Sequence, residues 1–204
     1  MRQRAALDVS HLPTTAFGSR APLWWGAVGI MAIEGTMFAI MAASYFYLRG
    51  DAAVWPPTGT LHPGLGITTL NLVILLATAL PMHLAAKAAL KDDLSGIRLW
   101  LIVSTVLMVA FLAVRWMILQ RLTFLWNSHA YGSLVWTTAG LHTVHVVTGV
   151  IENLLFITLL TKGPVEDKHM LDVRLNSMYW YFVVVSWVFF YFIFFLDPGL
   201  LARR

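Results

Sequence analysis

A long apolar stretch, Trp24–Arg49, constrains the fold more than any other feature of this sequence. About 20 apolar residues, each rising 1.5 Å along a helix, span the roughly 30 Å of hydrocarbon in a bilayer. Further stretches have the same character, and 59% of the 204 residues are hydrophobic while only 12% are charged. This composition excludes an ordinary soluble domain and indicates an all-α, polytopic bundle of membrane helices.

The apolar pattern predicts five transmembrane helices within a membrane domain of residues 22–198. A polar N-terminal arm, 1–21, is expected on the cytoplasmic side, and 199–204 form a C-terminal tail. The connection Lys162–Val173 is the most charged and is predicted to be a loop. No short apolar core of a signal peptide follows the basic N-terminal segment, so the first helix is expected to remain in the protein. The helices are placed at about 22–49, 66–90, 97–121, 131–161 and 175–197.

Lys and Arg are distributed unevenly between the two sides of the predicted bundle. Nine fall on the side of the N-terminus and five on the other side. Because cytoplasmic loops carry an excess of basic residues, we expect a cytoplasmic N-terminus and an exterior C-terminus, most simply in a bacterial plasma membrane. The first group is Arg2, Arg4, Arg20, Lys87, Lys91, Arg98, Lys162, Lys168 and Arg174, and the second is Arg49, Arg115, Arg121, Arg203 and Arg204.

Composition also limits the chemistry that this chain can carry. It contains no Cys, which excludes iron–sulfur clusters, thiolate metal sites, disulfides and covalently attached c-type haem within the chain. The net charge of +4 is small and gives no indication of nucleic-acid binding.

One carboxylate, Glu34, lies inside the first apolar stretch with no basic residue within two turns. A charged carboxylate facing lipid costs at least several kcal/mol, so Glu34 must be protonated, paired or turned inward. It is either a hydrogen-bonded packing residue or a carboxylate that handles protons or faces a partner. We expect His142 or His145 of the fourth helix to be its hydrogen-bond partner.

Small residues recur at every fourth position beside Glu34, at Gly35, Ala39 and Ala43. Such a ridge lets another helix approach closely, and we expect it to pack against a helix of this chain or of a partner. Gly140 and Gly149 of the fourth helix are assigned the same packing role.

Polar residues form a stripe on the fourth helix. At 100° per residue, His142, His145, Gly149 and Glu152 fall within an arc of about 80°. Such a stripe is consistent with a metal or haem site, with a proton relay, or with a hydrogen-bonded seam between helices. Asn71 adds a polar group in the second helix.

Arg115, near the far end of the third helix, is expected to extend its side chain to the membrane interface.

Four segments resemble subunit III of the haem-copper oxidases. The most specific is YGSLVWTTAGLHTVHVVTGV, which is similar to the family's YGS…GxHxxHVxxG helix. AIEGTMFAIMAASYFYLR resembles the family's Glu-containing helix, and LNLVILLATA its Asn-Thr segment. YWYFVVVSWVFFYF resembles the closing helix, although Tyr181 and Val184 stand where the family usually has His and Asp.

The resemblance covers about residues 22–197 and is typical of a short, five-helix form. It implies a subunit of a terminal respiratory oxidase that reduces oxygen to water and translocates protons. The implied chain has no catalytic, metal-binding or cofactor-binding residues, since haem and copper belong to partner subunits. It packs mainly on subunit I, with subunit II and small subunits as further partners, binds phospholipid and supports proton uptake. Cytochrome c is the expected electron donor, with quinol as the alternative.

Two further functions remain open from the residues. One is a haem b-bearing anchor of a dehydrogenase, with His142 or His145 facing His83. The other is a proton-coupled transporter built around Glu34.

Overall fold

The computed structural model describes residues 17–18, 21–58, 60 and 64–196. Five long α-helices, with no strand between them, make up this part of the chain. Each is long and apolar enough to cross a membrane, so the predicted all-α bundle with five membrane-spanning helices is confirmed. The helices are α1 (Pro22–Asp51), α2 (Leu65–Ala89), α3 (Leu94–Gln120), α4 (Ala130–Lys162) and α5 (Asp167–Tyr191), and a π-helix (Phe192–Leu196) follows α5. The C-terminal tail and most of the N-terminal arm lie outside the described residues.

Side chains before α3 and α4 fix where these helices begin. The Asp93 carboxylate accepts a hydrogen bond from the Gly96 N–H at 3.0 Å. His129 Nδ1 accepts one from the Gly132 N–H at 2.9 Å. Each contact satisfies a backbone donor that has no partner inside the first turn of a helix.

The fifth helix begins earlier than predicted, inside the stretch Lys162–Val173 that we expected to be a loop. The Glu166 N–H donates to His169 Nδ1 at 3.0 Å, which closes the first turn. Lys168 Nζ lies 2.7 Å from Glu166 Oε2, and this hydrogen bond lowers the pKa of the Glu166 carboxyl. The charged residues therefore form the interfacial first turns of α5, where charges remain solvated.

Helices α2 and α3 pack together most extensively, and α5 packs on α2 and on α4. Trp180, Phe190 and Phe194 bring large, fully buried rings from α5 and its π-helical end into the core. Helix α1 is the outermost element and touches only α4 and α5 closely. Its buried face consists of Phe38, Ala42 and Tyr45.

The predicted packing positions have different surroundings within the described part of the chain. Ala39 and Ala43 are exposed, whereas Gly35 faces α5. A Cβ on Gly149 would lie 2.7 Å from the Trp180 ring, so this glycine allows α5 to approach α4. A Cβ on Gly140 would meet no described atom outside its own helix turn within 4 Å.

Candidate functional site

Glu34 turns inward and joins three helices. The Tyr179 hydroxyl of α5 donates to Glu34 Oε2 at 2.6 Å, and His145 Nε2 of α4 lies 3.5 Å from the same oxygen. The Glu34 side chain is 24% exposed. We name Glu34, His145 and Tyr179 the acidic cluster. It joins α1 to α4 and α5, one turn before Phe38, whose ring contacts His145 and Phe182.

The orientation of His145 defines what this cluster can do. His145 Nδ1 lies 2.7 Å from the Leu141 carbonyl oxygen, which only accepts, so Nδ1 carries a hydrogen. In the neutral ring, Nε2 then has a free lone pair that faces Glu34. One proton can reside on the Glu34 carboxyl or on His145, and in both forms the net charge of the pair is zero. The cluster can therefore hold an exchangeable proton without a further counter-ion.

An open groove of about 550 Å³ between α1, α4 and α5 leads to Glu34. It begins at Leu23 near the start of α1 and is lined by two further carboxyl side chains, Glu152 and Asp172. Glu34 and Glu152, which the sequence singled out separately, thus lie in one groove. Apolar side chains that include Ile30 and Phe156 line much of the groove beside these carboxyl groups.

Of the two histidines expected as partners of Glu34, His145 makes the contact and His142 does not join this cluster. Its Nε2–H donates to the Val183 carbonyl at 3.1 Å, and its ring lies 4.7 Å from the Trp187 ring and 5.9 Å from the Phe111 ring. Three residues along a helix rotate a side chain by about 300°, and the 60° between His142 and His145 is enough to direct them to different neighbours.

Arg115 also differs from expectation, because it lies inside the bundle with only 2% of its surface exposed. Its Nε–H donates to Asn71 Oδ1 at 3.1 Å, and Asn71 Nδ2 donates to the Phe111 carbonyl at 2.9 Å. The guanidinium carbon lies 3.6 Å from the centre of the Trp187 ring and 4.8 Å from that of the Phe111 ring. We name Arg115, Asn71, Phe111 and Trp187 the basic cluster.

The sequence analysis did not identify Tyr179, which falls close to the start of the last predicted helix, 175–197. Because α5 begins at Asp167, Tyr179 lies about three turns inside the helix. The capping pair Glu166 and His169 is the signal that would have moved the boundary and placed Tyr179 at the depth of Glu34.

The histidines do not fit a haem between helices. His83 is exposed on α2 and its Nδ1 lies 3.2 Å from the Tyr181 hydroxyl. His142 is fully buried against aromatic rings, and His145 faces Glu34. In the ranges that the structure describes, no three His, Cys, Asp or Glu side chains come together as a metal site.

Known proteins provide independent information on this chain. The sequence model of the family described as cytochrome c oxidase subunit III matches residues 15–197. The cytochrome c oxidase subunit 3 of Thermostichus vulcanus is 28% identical over 166 residues, which cover 80% of this chain and 81% of the relative. The subunit 3 of Synechocystis is 25% identical, and the match covers 80% of this chain and 71% of the relative. A probable subunit 3 of Nocardia farcinica is 29% identical, and the match covers 80% of this chain and 82% of the relative.

Proposed function

Because the chain belongs to the cytochrome c oxidase subunit III family, we propose that it is the non-catalytic subunit III of a respiratory oxidase that reduces oxygen to water. It is a multi-pass membrane subunit of a multi-subunit haem-copper oxidase complex. The observation that carries the proposal is the family match, which spans all five helices and both polar clusters.

We assign haem and copper to partner subunits, so that this chain serves assembly and not electron transfer. The contacts of its histidines support this assignment, since His142 and His145 each donate to a backbone carbonyl within the bundle. The His142 contact joins α4 to α5, as side chains that secure helix packing do, and the His145 contact lies within α4.

We propose subunit I as the main contact, with subunit II and small subunits as further neighbours and phospholipid at the remaining surface. The exposed ridge at Ala39 and Ala43 supports a helix–helix contact with subunit I, because small residues allow backbones to approach. Binding there would stabilise subunit I.

Purification of the complex in mild detergent, followed by identification of the co-purifying chains, tests this function. We expect a large haem-copper subunit to accompany this chain and oxygen consumption with reduced cytochrome c. Consumption with quinol alone would identify a quinol-oxidising member of the family. A haem spectrum from the isolated chain would support the dehydrogenase anchor, and a chain that purifies alone would support a transporter.

The acidic cluster gives the proposed support of proton uptake a physical basis, since it can hold one proton beside an open groove that two further carboxyl groups line. We favour a packing role for Glu34, because its contacts with Tyr179 and His145 join α1 to α5 and α4. Glu34→Gln keeps the shape and removes the titration, so we expect a complex that assembles with unchanged oxygen consumption and pH dependence. Loss of proton uptake in a fully assembled complex would instead assign proton handling to Glu34. Labelling by a hydrophobic carbodiimide, lost in Glu34→Gln, would report access to the carboxyl.

We propose a bacterial plasma membrane location with the N-terminus in the cytoplasm. Reporter fusions after Lys91 and after Gly163 should then be cytoplasmic, and a fusion in the α1–α2 connection should be exterior. The opposite pattern would reverse the orientation.

A further inference from the structure

Arg115 has more hydrogen-bond donors than the protein satisfies. A guanidinium group carries five N–H donors and no acceptor, and one of them, Nε–H, is used by Asn71. Nη1 and Nη2 are buried and have no hydrogen-bond partner within the described part of the chain. An isolated buried charge with unpaired donors is strongly unfavourable, so this group requires a further ligand.

The aromatic rings satisfy only part of this requirement. Trp187 and Phe111 cover the faces of the guanidinium group, where a cation is attracted to the ring electrons. The N–H bonds of Nη1 and Nη2 lie in the plane of the group and point away from both faces. A ligand must therefore approach the edge of the guanidinium in its plane, and it must accept hydrogen bonds.

Among the residues that the structure describes, no carboxylate fills this position. The ion pairs found among the described residues join His145 to Glu34 and Lys168 to Glu166, and neither involves Arg115. His142 is the titratable group beside the cluster, and an imidazole carries no negative charge in either protonation state. The buried positive charge thus has no negative partner in this part of the chain.

A small cavity of about 10 Å³ lies at the basic cluster, between α2, α3, α4 and the C-terminal part of α5. This is close to the space that one water-sized particle requires. The volume of the cavity is therefore that of a single small particle. The lining combines the polar Arg115, Asn71 and Thr68 with apolar residues that include Ile118, Val135 and Ala139.

We propose that this cavity is a binding site for one monovalent anion of the size of chloride, held at the edge of the Arg115 guanidinium. A water molecule would satisfy donors but would leave the charge without compensation, and this favours an anion. Asn71 orients the guanidinium, because its amide bonds both to Arg115 Nε and to the Phe111 carbonyl. The bound anion would join α2, α3 and α5 through Arg115 and thus act as a structural ligand.

The purified oxidase complex tests the site directly. Its thermal unfolding is followed at constant ionic strength while gluconate, which is too large for the cavity, is replaced by chloride or bromide. We expect the melting temperature to rise with halide concentration and to saturate, as for any ligand that binds only the folded state. Equal melting temperatures in gluconate and in chloride would overturn the proposal.

Two variants and one control assign the effect to this cavity. Arg115→Met should abolish the halide response, whereas Arg121→Met, at an exposed position after the same helix, should retain it. Asn71→Asp places a carboxylate beside the guanidinium and should also make stability independent of halide. A full halide response in Arg115→Met would contradict the assignment.

If Arg115→Met does not assemble, an experiment on the wild-type complex tests the proposal. Crystals grown in bromide should show an anomalous peak within hydrogen-bond distance of Nη1 or Nη2. Density for an ordered water without bromide, or an empty cavity, would refute the anion site.

Discussion

Glu34 and Arg115 are both ionisable residues inside the helical bundle, yet the protein accommodates them in different ways. The Glu34 side chain is 24% exposed, borders a groove of about 550 Å³ and has both Tyr179 and His145 as neighbours. Arg115 is 2% exposed, borders a cavity of about 10 Å³ and has one hydrogen-bonded side-chain partner, Asn71. The acid is accessible and has polar partners, whereas the base is enclosed and lacks a counter-charge.

The chemistry of the two groups explains this difference. A carboxyl beside a histidine can share one proton with it, so the pair stays neutral overall without another ion. A guanidinium keeps its proton in proteins, so burial leaves a fixed positive charge. Aromatic faces and one amide reduce its cost, but a ligand must supply the rest. The acidic cluster is thus suited to exchange protons, and the basic cluster to hold an ion.

The largest effect on stability should come from a substitution that disturbs the packing of α5 on α4 beside the acidic cluster. In Gly149→Ala the new methyl group would lie 2.7 Å from a carbon of the buried Trp180 ring. Overpacking of this kind costs about 1–3 kcal/mol. We expect the free energy of unfolding, measured by denaturant titration in detergent, to fall by this amount.

Gly140→Ala is the matched control, because it adds the same methyl group on the same helix where no described neighbour lies within 4 Å. It should leave stability nearly unchanged. If the halide response persists in Gly149→Ala, the two clusters are independent. A stable Gly149→Ala protein would mean that Trp180 adapts.

Tyr179→Phe should have a smaller effect on stability. It measures how much the acidic cluster depends on its own hydrogen-bond partner, in contrast to the basic cluster. The variant removes the 2.6 Å hydrogen bond to Glu34. Loss of a bond to a neutral carboxyl costs about 0.5–1.5 kcal/mol, and loss of one to a charged carboxylate about 1.5–3 kcal/mol. We expect the unfolding free energy to fall by an amount within these two ranges, about 0.5–3 kcal/mol.

Tyr181→Phe provides the comparison for this variant, since its hydroxyl contacts the exposed His83. We expect its unfolding free energy to change by less than about 0.5 kcal/mol. Equal losses in both tyrosine variants would show that Glu34 does not depend on Tyr179.

The sequence was sufficient for features that depend on apolar length and helical period. Five apolar stretches predicted five helices, because a membrane helix satisfies its own backbone and needs only about 20 apolar residues. An acid within such a stretch identified Glu34 as a residue with inward contacts. The period of α4 placed His145 and Glu152 on one stripe, and both border the region around Glu34.

Contacts between helices were less accessible to prediction. Arg115 lies close enough to the end of α3 to reach the interface, and the packing of α2 and α4 on α3, together with Trp187 of α5, encloses it. Tyr179 was misjudged because charged residues were assigned to a loop before α5. In both cases the depth of a polar residue depended on tertiary packing and a helix cap, which apolar periodicity does not report.

The smallest effect on the chain itself, and the most informative about partners, should come from Ala39→Leu. Helix α1 presents Phe38 and Ala42 to the bundle and Ala39 to the outside. A leucine at Ala39 therefore faces open space, and we expect the unfolding free energy of the isolated chain to change by less than about 0.5 kcal/mol. Ala42→Leu is the same substitution at a buried position of the same helix, and it should lower this free energy by about 1–3 kcal/mol through overpacking.

If a helix of subunit I lies against the ridge, Ala39→Leu should separate the backbones and release the chain from the complex during detergent purification. Full retention of Ala39→Leu in the complex would mean that this face of α1 contacts lipid, and that the acidic cluster is the principal attachment of α1.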